Sequence, residues 1–295
     1  MIAETAVPEI RTAGTTRQRR RALRRFMQNR MAVGGAVVVL LLILVAILAP
    51  VLAPTNPILQ NYNAVLQPPS AHHLLGTDEL GRDVFSRVIY GARISLAAGV
   101  IAVGIALVIA LPVGLFSGFV GGFWDEVVVM RITDAALAFP SLILALVIAA
   151  VLGPDFVNAM VAIGLSLAPV FIRLIRGQVL QEVTKEYVEA SRALGASGSR
   201  QMFRHVLPNI LSPILVQASL SVAAAVLGEA SLSFLGLGTQ PPTPSWGSDL
   251  RFAQGYLGTA PWLAIWPGIA IVVVVLAFNL LGDGVRDAFD TRMTS

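Results

Sequence analysis

The chain of 295 residues is 56% hydrophobic and only 13% charged, with a mean hydropathy of +0.76 and a formal net charge of +4, which excludes an ordinary soluble globular domain and places it among integral membrane proteins. It has no cysteine, so a disulfide framework, thiolate metal ligands and a cysteine nucleophile are excluded, while the redox compartment stays open. Its basic balance is almost all arginine, with Lys185 the single lysine.

At the N-terminus, Arg17, Arg19, Arg20, Arg21, Arg24 and Arg25 crowd the stretch before residue 30. An apolar run follows directly, with no interleaved aromatics and no nucleic-acid-binding motif. The cluster therefore reads as the charge that keeps the start of a first span in the cytoplasm, and no nucleic-acid partner is expected. That run, about residues 32–54, is too long for the hydrophobic region of a cleaved signal peptide, so it is expected to remain as an anchor.

A helix needs roughly 20 residues to cross about 30 Å of hydrocarbon. Six runs of that size occur, at about 32–54, 93–117, 127–152, 156–175, 211–235 and 262–282. They are continuous, without the alternation that barrel strands require, so the predicted fold is all-α with six transmembrane helices. With the N-terminus inside, the cytoplasmic segments collect eight arginines before residue 31, then Arg176, Lys185, Arg192, Arg200 and Arg204, and finally Arg286 and Arg292. The other side holds only Arg82, Arg87, Arg93 and Arg251, which predicts that both termini are cytoplasmic. The expected organisation is a cytoplasmic Arg-rich segment 1–31, a first transmembrane helix 32–54, an extracytoplasmic segment 55–92, a five-helix core 93–285 that includes a cytoplasmic loop 176–210, and a cytoplasmic tail 286–295.

Within 55–92, Thr77 is placed to cap a helix whose first turn holds Asp78 and Glu79. Asp78 with Arg82 and Asp83 with Arg87 are i,i+4 pairs, and Leu80, Val84 and Val88 share that spacing, predicting an amphipathic helix that leads into span two. The adjacent His72 and His73 read as a solvated loop, and no metal site is expected. In span three, Arg131 and Asp134 lie three apart and are expected to pair on one helix face. Pro112, Pro140 and Pro169 each interrupt a span. Span five is rich in small residues (QASLSVAAAVLGEAS) and carries Glu229 with no sequence-local partner. Arg131, Asp134 and Glu229 are the candidates for an intramembrane functional role, because ionisable groups inside spans are costly. Trp246 and Tyr256, in the Pro/Gly-rich segment 237–261, are expected to anchor at a membrane interface.

The loop 176–210 is the polar exception. Val183, Tyr187, Ala190 and Leu194 fall at i, i+4, i+7 and i+11, giving a short helix an apolar stripe while Glu182, Glu186, Glu189 and Arg192 stay wet. Gly195 is placed to end it in the left-handed conformation. A second helix can start after Ser197 or Ser199, present Met202, Phe203 and Val206, and stop at Pro208. Such a two-helix knob needs a partner to cover its apolar face. The chain contains no G-x-x-x-x-G-K-S/T and no Gly-Lys pair, so a phosphate-cradling loop is absent and any ATP must be hydrolysed by another polypeptide. No catalytic cluster is seen either, and the chain is not expected to be an enzyme.

The run Glu189-Ala-Ser191, Gly195, then nine residues to His205-x-Leu207-Pro208 resembles the EAA loop of bacterial ABC importer permease subunits, in the same place before the penultimate span. Ser191 replaces the second alanine of that pattern, and His205 stands where isoleucine is common. His-Val-Leu-Pro-Asn is nevertheless similar to the form of the peptide branch. LGTDELGRDVFSRVIYGARISL, MRITDAALAFPSLILA and GEASLSFLGLG likewise resemble segments of the C-type subunit of dipeptide/oligopeptide permeases, and the likeness spans roughly residues 26–290.

The resemblance implies a type I ABC importer permease fold in a bacterial plasma (inner) membrane. It implies that the knob docks in a cleft of the ATPase, with Tyr187, Glu189, Ala190, Ser191, Arg192, Gly195, His205, Leu207 and Pro208 as coupling residues. Glu189, Ala190 and Gly195 would form the docking elbow, and Leu207 and Pro208 its exit. No cofactor is expected in this chain; ATP and Mg belong to partner ATPase subunits. The implied partners are a second permease subunit in a heterodimer, one or two ABC ATPases, an extracytoplasmic peptide-binding protein and membrane lipid, and the implied task is import of di- or oligopeptides. A nickel chelate or another small solute carried by the same branch is the nearest alternative. An ion-coupled secondary transporter would want paired intramembrane carboxylates or discontinuous spans, for which only Asp134 and Glu229 are candidates.

Overall fold

The computed structural model describes residues 25–289, so the arginines from Arg17 to Arg24 and the tail beyond Phe289 lie outside the described residues. The first long helix, α1 (Arg30–Leu52), starts where the Asn29 side chain accepts from the backbone N–H groups of Met31 (3.1 Å) and Ala32 (3.2 Å), satisfying two donors that a helix start leaves open. Its outward face carries exposed Leu40, Leu41, Ile47 and Val51, a surface suited to lipid and not to water.

The second helix, α2 (Val84–Val120), is 37 residues long and absorbs the amphipathic segment into span two. It begins at Val84, not after Thr77. The Asp78 carboxylate accepts from the N–H groups of Leu80 (2.9 Å) and Arg82 (2.8 Å), an alternative to helical bonding that holds 77–83 as a loop. Asp83 then caps the helix, accepting from Ser86 N–H and Oγ–H, both at 2.8 Å.

The third apolar run is broken. A π-helical turn Trp124–Val129 leads into α3 (Met130–Leu137), and α4 (Ser141–Leu152) leaves at 98° to this preceding piece. Pro140 lacks an N–H and disfavours helical backbone at the residue before it, so the break falls there. Pro169, by contrast, lies inside the unbroken α5 (Phe156–Glu182), and Pro112 inside α2. The polar loop follows as α6 (Glu186–Ala193), a single α-turn Gly198–Arg200 and a π-helical turn Gln201–Val206. These run directly into α7 (Leu207–Phe234), and α8 (Trp246–Ala253) and α9 (Trp262–Phe289) complete the bundle. Five of these helices are long and apolar enough to cross a membrane, and the bent pair, taken as one span, brings the number to six. No β-strand is found among the described residues beyond the isolated bridge between Thr77 and Asp83.

One core lies where α2, α4, α5 and α7 meet, around Ala106, Met160, Phe171, Ile175 and Ile210. A second joins α1, α7, α8 and α9 around Trp246, Val274 and Phe278. Close approach between α2 and α5 depends on small residues: a Cβ placed on Gly118 would stand 2.7 Å from Cβ of Val179. Trp246 is 1% exposed and donates its indole N–H to the Val88 carbonyl at 2.9 Å, so it packs inside the bundle instead of anchoring at an interface. Its ring fits because Gly91 has no side chain on the facing surface.

Candidate functional site

The two-helix knob forms, and its turn has the geometry that the sequence suggests. Ala196 N–H bonds to the Ser191 carbonyl (3.1 Å) and Gly195 N–H to that of Arg192 (2.9 Å), the paired closing bonds of a helix ended by a left-handed residue. Gly195 supplies that residue with φ +79°. Behind the turn, buried Gln201 donates to the Ala196 carbonyl at 2.8 Å.

The faces of α6 differ from the expected stripe. Val188, wholly buried, is the side chain that points inward. Ala190 and Leu194 face out, Leu194 being 89% exposed, together with Glu189, Arg192 and Gly195. Ser191 and His205 are half-buried, Leu207 packs against the main core and Pro208 is exposed. The knob therefore presents an uncovered mixed surface, and Val188 and Val206 hold its back to the bundle.

The second helix does not stop at Pro208. The π-helical turn carries Leu207 N–H to the Met202 carbonyl, one residue further back than an α-helix would. That widening lets Pro208 enter α7 at its first turn, where a missing N–H costs little.

Tyr187 turns its hydroxyl inward. It donates to the buried Glu182 carboxylate at the end of α5, lies 3.3 Å from the His205 carbonyl and accepts from Asn209 Nδ2 at 3.0 Å. Burial, and then the Glu182 carboxylate, push the Tyr187 hydroxyl up to about 12, so it stays protonated and donating. Glu182, expected to be wet, is 6% exposed and also receives Lys185 Nζ at 2.7 Å. One phenol thus fastens α6 to both the incoming and the outgoing span. Glu182 and Asn209 are parts of this clip that helical periodicity missed, since they are set by which side chain meets them across the loop.

A second anchor lies beside the knob. Asp125 in the first π-helical turn accepts from Arg176 of α5 through three contacts of 2.6–3.0 Å and from Ser117 of α2. The separation of 51 positions between Asp125 and Arg176 leaves no local signal for this pair.

Of the intramembrane candidates, Asp134 pairs across helices with Arg173 of α5, not along its own helix with Arg131. Arg131 is exposed. Glu229 is fully buried and does have a sequence-local partner: Ser233 Oγ donates to it at 2.7 Å, and Thr239 Oγ1 at 3.2 Å. It fastens the turn after α7.

At the bundle end away from the knob, Arg82 bonds to Asp78 (2.5 Å) and Glu79 (2.9 Å). Asp83 meets His73 Nδ1 at 3.1 Å instead of Arg87. Arg87 reaches across to Asp249 of α8 and to the Pro57 carbonyl (3.2 Å). Burial pushes the Asp249 carboxyl up, an effect that Arg87 opposes.

Comparison with known proteins gives these arrangements a context. Residues 110–295 match the family described as binding-protein-dependent transport system inner membrane component, and residues 17–69 match the N-terminal TM domain of oligopeptide transport permease C. A dipeptide transport system permease protein of Alkalihalophilus pseudofirmus is 44% identical over 276 residues, covering 94% of this chain and 90% of that one. Its counterpart in Escherichia coli K12 is 47% identical, covering 91% of each chain. A glutathione transport system permease protein of Pectobacterium atrosepticum is 42% identical, covering 98% of this chain and 96% of that one. Among solved structures, an inward-facing MetNI methionine ABC transporter chain aligns with a TM-score of 0.56 at 22% identity, over 70% of this chain and 98% of that one, a likeness of fold.

Proposed function

Because the chain belongs to the family of binding-protein-dependent transport system inner membrane components, a permease family of ABC transporters whose ATPase partners use ATP, we propose that it is one of two permease subunits of an importer of dipeptides or oligopeptides. The knob and both termini lie on the cytoplasmic side in this reading, which the arginine distribution supports. The observation that carries it is the outward face of the knob, with Glu189, Ala190, Arg192 and Leu194 uncovered on a helix whose back is locked to two spans. A separate ATPase docks there. Closure of the ATPase dimer pulls the knob, and Tyr187 passes the displacement to α5 and α7 together. The differing contacts of inward and outward states then set the direction of transport. A binding protein delivers the peptide from the other side, and the second permease subunit completes the passage.

The test is ATP-dependent dipeptide uptake by the reconstituted complex with Glu189 or Gly195 altered. Uptake should fall at least tenfold in Gly195→Pro; normal assembly and transport in that variant would overturn the coupling role. A short thiol-containing tripeptide is the second reading of the substrate, favoured by the relatives named as glutathione permeases. Competition between unlabelled glutathione and a labelled dipeptide separates the two.

A further inference from the structure

We propose that Asp134 and Arg173 form a transient station for the two charged ends of a zwitterionic peptide, beside the exposed break between α3 and α4. This deepens the peptide-permease reading and rests on it. The two side chains pair with one another, yet stay 50% and 51% exposed. Ionisable groups at membrane depth are costly against lipid, so they face protein or water.

Arg173 sits on the most deeply packed span. Between Val161 and Leu180 of α5 only Leu165, Arg173 and Leu180 are exposed, and their spacings of eight and seven residues put all three on one helical face. That narrow window opens beside the break at Ala138, Phe139 and Pro140, all exposed. A half-exposed ion pair beside this break calls for water on that face. Arg173 lies one turn from Arg176, which Asp125 anchors, and nine residues before the end of α5, about 13 Å along the axis at 1.5 Å per residue. The station therefore lies between the knob and the middle of the bundle.

Its chemistry matches the termini of a peptide. A guanidinium takes a carboxylate through two parallel hydrogen bonds, and a carboxylate accepts from an ammonium group. Without a peptide the two side chains satisfy each other. With one, each exchanges its partner for a peptide terminus. Exposed pairs are held weakly, so the exchange is easy in both directions, as transit requires. The pair Arg87–Asp249 is closed to such exchange, and in Arg176–Asp125 the carboxylate is buried. Arg131, exposed three residues before Asp134 on α3, offers a further cation for acidic side chains.

The chain has no cysteine, so a single introduced thiol reports its own position. In the complete reconstituted transporter, Asp134→Cys and Arg173→Cys should react with a membrane-impermeant charged methanethiosulfonate at least tenfold faster than Val147→Cys, on the exposed face of α4. Saturating Ala-Ala should slow both reactions severalfold. Adding Asp134→Asn to the Arg173→Cys protein should remove that protection, which simple crowding by the peptide would not. Unreactive thiols would overturn the station by showing the face covered by lipid or by the second subunit. Reactivity indifferent to Ala-Ala, in a complex whose cysteine-free form imports Ala-Ala, would overturn the station alone. Failure of that cysteine-free complex to import Ala-Ala would overturn the peptide reading, and a peptide as the occupant with it.

Discussion

The two ends of the bundle handle charge in opposite ways. At the end away from the knob, Asp78, Arg82, Asp83 and Arg87 are each no more than 5% exposed and are paired with one another, with Glu79, with His73 or with Asp249. On the knob, Glu186, Glu189, Arg192, Arg200 and Arg204 are all exposed, and Glu182 is its one deeply buried charge. Displacing any member of a buried network strands another without a partner, so such a network resists motion. Exposed charges rearrange at little cost. One end is thus built as a plate that fixes α2 against α8; the other, held by a few directional bonds, is the lever of the proposed coupling.

The largest effect should come from breaking the plate. Arg87→Ala leaves Asp249 buried without its cation, a change that costs about 3–5 kcal/mol. Tryptophan fluorescence during thermal unfolding in detergent should show a steep drop in the midpoint, or folded protein should not accumulate at all. A midpoint within a degree or two of the unaltered chain would remove the contrast. On the lever, Gly195→Ala meets no steric obstacle, since nothing lies within 4 Å of the added carbon. Its left-handed backbone still costs about 1–2 kcal/mol with a side chain present. The turn should open locally, with the unfolding midpoint nearly unchanged and peptide uptake reduced severalfold. A lowered midpoint with normal uptake would make Gly195 a stability residue and not a coupling one.

The difference between the ends also governs what could be read in advance. The six apolar runs, the knob and its glycine turn depend on local periodicity and on residues a few positions apart, and all are present in the structure. The break at Pro140 was legible as an interruption, but not its 98° angle, because the identical ring in Pro169 leaves α5 unbroken. Ion pairs were the least legible. Asp83 and Asp134 each had a sequence-local partner at helical spacing, and each lost it for a physical reason. Asp83 was taken up by capping α2 and by His73, and Asp134 lies closer to the crossing α5 than to its own neighbour. Trp246 was misplaced because an aromatic beside prolines reads as an interface anchor until Gly91 opens a slot for it.

A smaller effect tests the clip itself. Tyr187→Phe keeps the ring and removes the hydroxyl that joins Glu182, Asn209 and the His205 carbonyl, a loss of about 1.5–3 kcal/mol for a hydrogen bond to a carboxylate. The complex should assemble and hydrolyse ATP, while the peptide carried per ATP falls about two- to fivefold. An unchanged ratio would mean that α6 moves the spans by packing alone, through Val188.

The smallest effect compares how the two ends respond to pH. Glu79 is pushed above the ordinary carboxylate range, first by burial and then by the neighbouring Asp78, with Arg82 opposing. A raised folded-state value means that the folded chain holds the proton more tightly than the unfolded chain. Its contribution to stability is therefore complete below the unfolded value, about 4.3, and is lost as pH rises through the folded one. Glu79→Gln imitates the protonated form, so it should be slightly more stable than the unaltered chain at pH 7, and the gap should close as pH falls through the folded value. Tyr187 obeys the same sign at the other extreme: its contribution is complete below about 10 and is lost as pH rises through about 12. In midpoints measured from pH 4 to 8, the Glu79→Gln difference should vary and the Tyr187→Phe difference should stay flat. A flat Glu79→Gln difference, or a Tyr187→Phe difference that varies over that range, would mean that the plate and the lever do not separate in their response to protons.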